Sequence, residues 1–283
     1  MKLIAFVDGS TYSLSVCDHA AWAAKRMDAS IDLFHVLGRR DRSGEPADLS
    51  GSLRLGARST LLKEMADVDA ERAKLEHARG RLVLEDAKAR LVEDGVAEVE
   101  TRLRNDDIVA TVREYEGGAD LVVIGKRGEA SSVALEHLGS NLERILRSAT
   151  KPVLVVSRAF KPIERYMIAF DGGPSVMKAV EHIGQGRLFR DMPCLLLHVG
   201  NDTPEIRSRM EGASALLKKA GQDVEIEIAQ GEPEKVISTA VETRGVGLLL
   251  MGAYGHSRIR NLIIGSTTTQ MVRSCKIPVM MFR

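Results

Sequence analysis

The amino-acid sequence predicts an α/β protein made of two similar domains, each a parallel sheet with helices on both faces. Short apolar, β-prone runs alternate with stretches of helical periodicity along the 283 residues, and this alternation is typical of parallel sheets. The pattern restarts midway, where Tyr166–Gly173 repeats Leu3–Gly9, an apolar run that ends in Asp-Gly. A glycine-rich loop also occurs twice, at Gly125–Ser140 and Gly252–Thr269. This internal repeat indicates two domains rather than one.

In the first half, β-prone runs bounded by turn residues predict five strands. A helix is expected directly after Asp8-Gly9-Ser10, because Leu14, Cys17 and Ala21 recur at helical spacing. The predicted strands are Leu3–Val7, Ile31–Val36, Val96–Leu103, Leu121–Ile124 and Pro152–Val156, and the further helices are Ile108–Tyr115 and Asn141–Ser148.

The second half repeats this series after a polar linker at 157–165. Each half has enough apolar residues for a core of its own, so the predicted domains are residues 1–157 and 158–283. The predicted strands are Tyr166–Phe170, Leu195–Val199, Val224–Ala229, Leu248–Met251 and Pro278–Phe282, with a helix at Val236–Glu242.

The first half is longer because of an insertion at about residues 41–94, between its second and third strands. Its part at 53–93 is rich in Ala, Leu, Glu, Lys and Arg, which predicts one long helix or a helical hairpin, with Gly80 as a candidate interruption. Apolar residues recur there at spacings near a heptad: Leu61, Met65, Val68, Leu75 and Leu82. The favoured interpretation packs this stripe against its own domain or the twin domain, and the alternative is an arm that binds a protein partner.

The composition excludes several classes of partner. Forty basic and 39 acidic side chains give a net charge of +1, which argues against broad binding of nucleic acid. No run approaches the roughly 18 apolar residues of a membrane span. Asp8 interrupts the first apolar run too early for a signal peptide. The three scattered cysteines suggest neither disulfides nor zinc, so a cytoplasmic protein is expected.

The two glycine loops suit an anionic ligand. Gly125-Lys126-Arg127-Gly128 is followed by ten residues and Gly139-Ser140, whereas Gly252-Ala253-Tyr254-Gly255 is followed by nine residues and Gly265-Ser266. Glycines at a strand end let the backbone approach a ligand closely, and the amides that open a helix suit phosphate. Neither loop has the dinucleotide or P-loop pattern.

With these loops, the chain resembles tandem universal stress proteins, in which two UspA-type domains share one chain in a UspE-like arrangement. Nucleotide-binding members of that family carry G-x2-G-x9-G-[ST] after the fourth strand. The loop that begins at Gly252 has this spacing, and the loop that begins at Gly125 is one residue too long. The resemblance implies flavodoxin-like, Rossmann-like domains, each with a five-stranded parallel sheet of order 3-2-1-4-5. It also implies an ATP-binding regulatory module that acts in a stress response.

The resemblance also assigns residues. Asp171 would border the ribose and Val199 the adenine, while the glycines and the hydroxyl cluster would surround the phosphates, with any Mg²⁺ held through those phosphates. The second-half set is Asp171, Val199, Gly252, Gly255, His256, Arg258, Gly265, Ser266 and Thr267, and the first-half counterparts are Asp8, Val36, Gly125, Gly128, Gly139 and Ser140. Because of the loop lengths, the second domain is expected to bind ATP more tightly.

Catalysis has little support in the sequence. His35 and His198 occupy equivalent positions, which favours a structural role, and neither a catalytic residue nor a metal ligand is predicted. The alternatives to a nucleotide-binding regulator are a nucleotide-independent platform for protein partners and a slow ATPase. The apolar fifth strands are expected to pair within the chain as a pseudo-dimer, since an uncovered edge strand invites aggregation. Association of two chains stays open.

Overall fold

The computed structural model describes residues 1–38, 55–127, 140–253 and 266–283. Strands and helices alternate within each half, the last strand of the first half is followed directly by the first strand of the second, and a single 3₁₀ turn in these ranges lies at Glu116–Gly118. The strands are β1 (Lys2–Phe6), β2 (Ser30–Val36), β3 (Val99–Arg104), β4 (Leu121–Gly125), β5 (Val153–Val156), β6 (Tyr166–Ala169), β7 (Cys194–Val199), β8 (Val224–Ala229), β9 (Leu248–Gly252) and β10 (Val279–Phe282). The helices are α1 (Tyr12–Met27), α2 (Leu55–Glu93), α3 (Ile108–Tyr115), α4 (Ser140–Ser148), α5 (Pro174–Gln185), α6 (Pro204–Lys219), α7 (Pro233–Thr243) and α8 (Ser266–Ser274).

All ten strands belong to one sheet, in the order β3-β2-β1-β4-β5-β10-β9-β6-β7-β8. Within β1–β5 and within β6–β10 every pairing is parallel. Each half therefore has the strand order 3-2-1-4-5, and the predicted α/β fold class is confirmed. The merging of the halves into one sheet adds to that prediction.

The halves join through β5 and β10, which pair antiparallel with Met280 opposite Leu154. Both strands are buried along their whole length. Further bonds cross the junction: Lys126 Nζ donates to the Cys275 carbonyl at 2.7 Å, and Arg26 Nε donates to the Leu188 carbonyl at 2.6 Å. Each half thus covers the apolar edge strand that the other would leave open.

The core lies on both faces of the sheet because the side chains of a strand alternate in direction. Leu3 and Ala5 of β1 point to one face, and Ile4 and Phe6 point to the other. Both apolar clusters run through both halves. Among the described helices, none is long and apolar enough to cross a bilayer.

The insertion forms one continuous helix, α2, of 39 residues. The interpretation that packs this heptad-spaced stripe against its own domain or the twin domain is wrong for the residues whose side chains are described. Met65, Val68, Leu75 and Leu82 are 54–66% exposed, and the side chain of Leu61 lies outside the described part. The helix instead packs against the rest of the protein through a different face, whose buried residues are Gly80, Leu84, Ala87 and Leu91.

Gly80 does not interrupt α2 but allows it to approach the sheet. A Cβ at this position would lie 2.7 Å from Leu103 Cδ1 and 2.9 Å from Cδ2 of His35. The end of α2 explains a smaller difference from prediction. Val96 N donates to the Leu91 carbonyl at 3.0 Å, so Val96 belongs to the turn that closes the helix, and β3 begins at Val99.

Candidate functional site

The carboxyl ends of three neighbouring strands bring together three of the residues predicted for the second half. Asp171 lies two residues beyond β6, Val199 is the last residue of β7, and Gly252 is the last residue of β9. β6 lies between β7 and β9. Ligands of doubly wound sheets bind at such an edge, at the point where the strand order reverses.

Asp171 is fixed by the turn that follows β6. Its Oδ1 accepts a hydrogen bond from Gly173 N at 2.8 Å, and Gly172 in this turn has a φ of +71°, a conformation that glycine adopts without strain. α5 then starts at Pro174 with Gly173 as its N-cap. The Asp171 side chain is partly exposed at the sheet edge, where its carboxylate can accept hydrogen bonds from hydroxyl groups.

Gly252 has a packing role that does not depend on a ligand. A Cβ here would lie 3.0 Å from Ser175 Cβ and 3.3 Å from Val176 N, so the missing side chain lets β9 approach the first turn of α5. Thr268 Oγ1 donates to the Gly252 carbonyl at 3.3 Å, which ties the start of α8 to the end of β9. This bond brings the amide-rich start of α8 close to the strand edge.

The two equivalent histidines each form a hydrogen bond to the backbone. His35 Nδ1 lies 2.9 Å from the Val7 carbonyl, and His198 Nδ1 lies 2.8 Å from the Phe170 carbonyl. A carbonyl only accepts, so each Nδ1 carries the proton. The His35 ring thereby joins the end of β2 to the residue that follows β1, and the His198 ring joins the end of β7 to the residue that follows β6.

The first half repeats the arrangement with a different turn. Asp8 lies two residues beyond β1, Val36 ends β2 and Gly125 ends β4. Asp8 Oδ1 accepts hydrogen bonds from Ser10 N at 2.9 Å and from Ser13 Oγ at 3.2 Å. A Cβ on Gly125 would lie 3.0 Å from Cβ of Tyr12, which parallels the contact at the end of β9. The serine hydroxyl on Asp8 is a difference between the halves that sequence spacing did not reveal.

The remaining predicted residues lie at helix starts or outside the described residues. Ser140 and Ser266 are the first residues of α4 and α8, and Thr267 follows in α8. Helix starts at these positions agree with the predicted loop-to-helix arrangement, although the three side chains lie outside the described part. The residues wholly outside it are Gly128, Gly139, Gly255, His256, Arg258 and Gly265.

A second concave region lies at the junction of the halves. Its volume is about 310 Å³, and its described lining consists of Tyr12, Lys126, Arg127, Ser157, Arg158, Arg273, Cys275 and Lys276. Burial lowers the pKa of Lys126 to about 8, and the neighbouring Arg127 contributes to this shift. The loop sequence had marked only Lys126 and Arg127. The others are missed because the antiparallel pairing of β5 with β10 brings them there, and no local motif encodes that pairing.

Nucleophilic and metal chemistry find little support in the described part of the chain. Burial raises the pKa of the Cys17 and Cys194 thiols to about 12, which keeps both protonated at neutral pH. All three cysteines are free and buried. The described residues contain no group of three or more His, Cys, Asp or Glu side chains that could hold a metal ion.

The two halves form a doubly wound α/β protein. In each half, equivalent residues lie at the carboxyl edge of the sheet, where such folds bind ligands. The profile of the Universal stress protein family matches residues 1–157 and 201–283. The chain therefore belongs to the universal stress protein family, and the two matched segments indicate a tandem repeat.

Full-length relatives agree with this assignment. A universal stress protein of Synechocystis sp. is 37% identical over 285 residues, which cover 100% of this chain and 99% of that protein. One from Mycolicibacterium smegmatis is 25% identical and covers 98% of this chain and 95% of its own. The crystal structure of a universal stress protein from Archaeoglobus fulgidus matches with a TM-score of 0.71 at 20% identity, over 100% of this chain and 98% of that one. At that identity the structural likeness speaks for the fold.

Proposed function

We propose that this chain is a cytoplasmic regulatory module of the stress response that binds ATP at the β6–β7–β9 edge. The supporting observation is the arrangement of Asp171, Val199 and Gly252 at adjacent strand ends, beside the start of α8 at Ser266. A helix start offers unpaired amides and a positive dipole end to phosphate. Binding there would change the packing of the halves, which act as a pseudo-dimer, and so alter partner binding.

Within this proposal the residues have separate roles. Asp171 accepts hydrogen bonds from the ribose hydroxyls, and the backbone at Val199 borders the adenine. Gly252 and Gly255 keep the loop free of side chains along the ribose and phosphates, and the amides of Gly265, Ser266 and Thr267 meet the phosphates. Ser266 and Thr267 donate to phosphate oxygens, His256 and Arg258 offset their charge, and Mg²⁺ is held through the phosphates rather than by a protein site.

The first half binds nucleotide more weakly in this proposal. Its loop is one residue longer between Gly128 and Gly139, so it departs from the spacing that the loop beginning at Gly252 has. In addition, the Asp8 carboxylate already accepts from the Ser13 hydroxyl. A ribose hydroxyl would compete with that bond.

A matched pair of variants in the full chain tests the nucleotide site. Asp171→Asn and Asp8→Asn each remove one carboxylate charge and retain an oxygen that can accept the turn hydrogen bond. Calorimetry with Mg-ATP should give about tenfold weaker binding for Asp171→Asn, the loss of one hydrogen bond to a charged group. The dissociation constant of the stronger ATP site, in the second half, should be unchanged in Asp8→Asn. Equal losses would remove the asymmetry, and absence of ATP binding in the wild type would contradict the proposal. Phosphate release above the contaminant level, abolished in Asp171→Asn, would support a slow ATPase instead.

The exposed face of α2 favours a second candidate function, that of an interaction module. Val68, Leu75 and Leu82 follow one another at seven-residue intervals, and each is more than 60% exposed. A seven-residue apolar repeat is the pattern that packs against another helix with the same repeat. All residues described from Leu62 to Leu75 are exposed, so this stretch is accessible to a partner.

Charge placement points to a second copy of this chain with its α2 parallel. Residues three and four positions after a stripe residue lie on opposite flanks of the helix. One flank carries Glu71 and Glu85, and the other carries Arg72 and Arg79, with Asp86 as its one acidic residue after Leu82. A two-fold axis along the helices brings the acidic flank of one copy to the basic flank of the other. An antiparallel pair would oppose like charges.

Sedimentation equilibrium tests this surface. Leu75→Glu places a charge in the stripe at a residue that is 64% exposed, so the monomer should fold unchanged while the dissociation constant of the dimer rises about tenfold or more. Ala73→Glu adds the same charge on the opposite side of α2 and serves as the control. A wild type that is monomeric throughout, or equal effects of both variants, would contradict a self-associating stripe.

A further inference from the structure

The cavity at the junction of the halves is strongly basic. Five cationic side chains line it, two from the first half, one from the linker and two from the second half, and none of its described lining residues is acidic. The first-half cations are Lys126 and Arg127, the linker cation is Arg158, and the second-half cations are Arg273 and Lys276. Cations that line one cavity repel one another unless anions lie near them, and among the five Lys276 pairs with Glu242 Oε1 at 3.2 Å.

Two of these cations lack a described anionic partner. The Lys126 side chain is only 9% exposed, and the hydrogen bond that the structure gives its Nζ runs to a neutral group, the Cys275 carbonyl, at 2.7 Å. Burial is the main cause of the lowered pKa of Lys126; Cys275 acts in the opposite direction, and Arg127, a charge of the same sign, adds a smaller lowering effect. The Arg158 guanidinium forms no ion pair with any residue the structure describes and lines the same cavity. Burying an ammonium group without a counter-charge is costly, which indicates that a ligand supplies the charge.

The cavity adjoins the nucleotide edge of the first half, with which it shares the end of β4, but it extends to the opposite side of that strand. β4 lies between β1 and β5 in the sheet. Asp8 and Val36 follow β1 and β2, on one side of β4, whereas Ser157 and Arg158 follow β5, on the other side. Cys275 and Lys276 precede β10, which runs antiparallel to β5 and so brings them to the same end. A ligand here would contact both halves at once.

We propose that this junction cleft, defined by Lys126, Arg127, Arg158, Arg273 and Lys276, binds a small phosphate-type oxyanion that bridges the two halves. At about 310 Å³ the cleft has room for on the order of ten water molecules, which suits a phosphate or diphosphate group with some retained water. Guanidinium groups bind phosphate oxygens in pairs and Lys126 adds a point charge. The anion restores the missing counter-charge and stabilises the contact between the halves.

Calorimetry of the full chain with inorganic pyrophosphate tests the cleft. The wild type should bind one pyrophosphate per chain, and Arg158→Gln should weaken this by about tenfold to a hundredfold, the loss of hydrogen bonds between charged groups. Arg113→Gln removes the same charge from an exposed site on α3 and should leave the affinity unchanged. Lys126→Met should weaken binding at least as much. If that variant does not fold, Arg158→Gln decides, because the Arg158 side chain is exposed.

A second readout is specific to Lys126. Binding of an anion should raise the pKa of this amine from about 8, so the complex takes up protons at pH 8–9. Calorimetry in two buffers of different ionisation enthalpy measures this uptake, which Lys126→Met should abolish. Other charged or titratable groups at the cleft are Tyr12, Arg127, Arg158, Arg273, Cys275 and Lys276, and Arg158→Gln should retain proton uptake at saturating pyrophosphate.

The outcomes separate this site from the nucleotide proposal because no nucleotide is needed. Pyrophosphate binding that ADP does not displace indicates a free oxyanion, and displacement by ADP indicates that the cleft takes the phosphate groups of a larger ligand. Both outcomes support an oxyanion cleft when Arg158→Gln weakens pyrophosphate binding, because pyrophosphate held at the β6–β7–β9 edge would not respond to that substitution. The proposal is overturned if millimolar pyrophosphate gives no heat and no rise in the unfolding midpoint. It is also overturned if Arg158→Gln and Lys126→Met bind as the wild type does.

Discussion

Replacing Gly80 with alanine should destabilise the protein, although alanine is the better helix former. In an exposed helix interior, glycine costs about 1 kcal/mol relative to alanine, so propensity alone predicts that Gly80→Ala is stabilising. Gly80 is buried, however, and the new Cβ would lie 2.7 Å from Leu103 Cδ1 and 2.9 Å from His35 Cδ2. Both separations are shorter than the contact distance of carbon atoms.

The two neighbours differ in their ability to move. The Leu103 methyl group is the end of a flexible side chain and can change rotamer. The His35 ring is held by the bond between its Nδ1 and the Val7 carbonyl at 2.9 Å, so moving it strains the end of β1 as well. Overpacking of this kind costs about 1–3 kcal/mol. After the propensity gain is subtracted, Gly80→Ala should lower the free energy of unfolding by up to about 2 kcal/mol.

Urea unfolding of the full chain measures this difference, and Gly212→Ala is the matched control. Gly212 lies inside α6, is exposed, and has no atom within 4 Å of the position of a new Cβ. Its substitution should raise the free energy of unfolding by about 0.5–1 kcal/mol. The reasoning is refuted if both variants are stabilised equally, because Gly80 would then not be required by close packing.

Two further predictions concern stability. Burial lowers the pKa of His19 and His182 from 6.5. Below pH 6.5 the unfolded chain therefore binds protons that the folded chain does not, and the free energy of unfolding should decrease as the pH is lowered. In urea titrations at several pH values, His19→Phe with His182→Phe should flatten this dependence, and an unchanged slope would contradict the assignment. Asp107 caps α3 by accepting from Val109 N and Ala110 N, and its other oxygen accepts from Arg144 at 2.8 Å. Asp107→Ala should therefore cost about 1–2 kcal/mol in thermal unfolding, and Asp107→Asn, which keeps the cap, clearly less; equal losses would show that the exposed ion pair dominates.

The sequence predicted the strands well because their signal is local. A run such as Leu121–Ile124, apolar on both faces and bounded by turn residues, has few alternatives to a buried parallel strand. The repeated Asp-Gly ending marked the same point in both halves, and topology then placed Asp171, Val199 and Gly252 at one edge. A packing role for Gly252 against Ser175 was not predicted, since close approach of a helix and a strand end depends on residues distant in sequence.

The insertion shows where periodicity stops being sufficient. Its heptad spacing correctly predicted a helix, but the spacing does not say which face meets the sheet. α2 turns Gly80 and Leu91 inward, and Val68 and Leu75 remain exposed. The choice depends on close approach at Gly80 to His35, and that contact exists only once β2 is in place.

By itself, the sequence determined the repeat, the strand-helix alternation and the family, because each is carried by the order and spacing of neighbouring residues. Pairing of the two fifth strands was expected from the sequence, but only the tertiary structure decided its antiparallel direction and its register. Antiparallel pairing of β5 with β10 places Lys126 against Cys275, 149 positions away along the chain. The physical reason is that burial of two apolar edge strands fixes this contact, and the basic side chains around it are brought together as a consequence rather than by any pattern of their own.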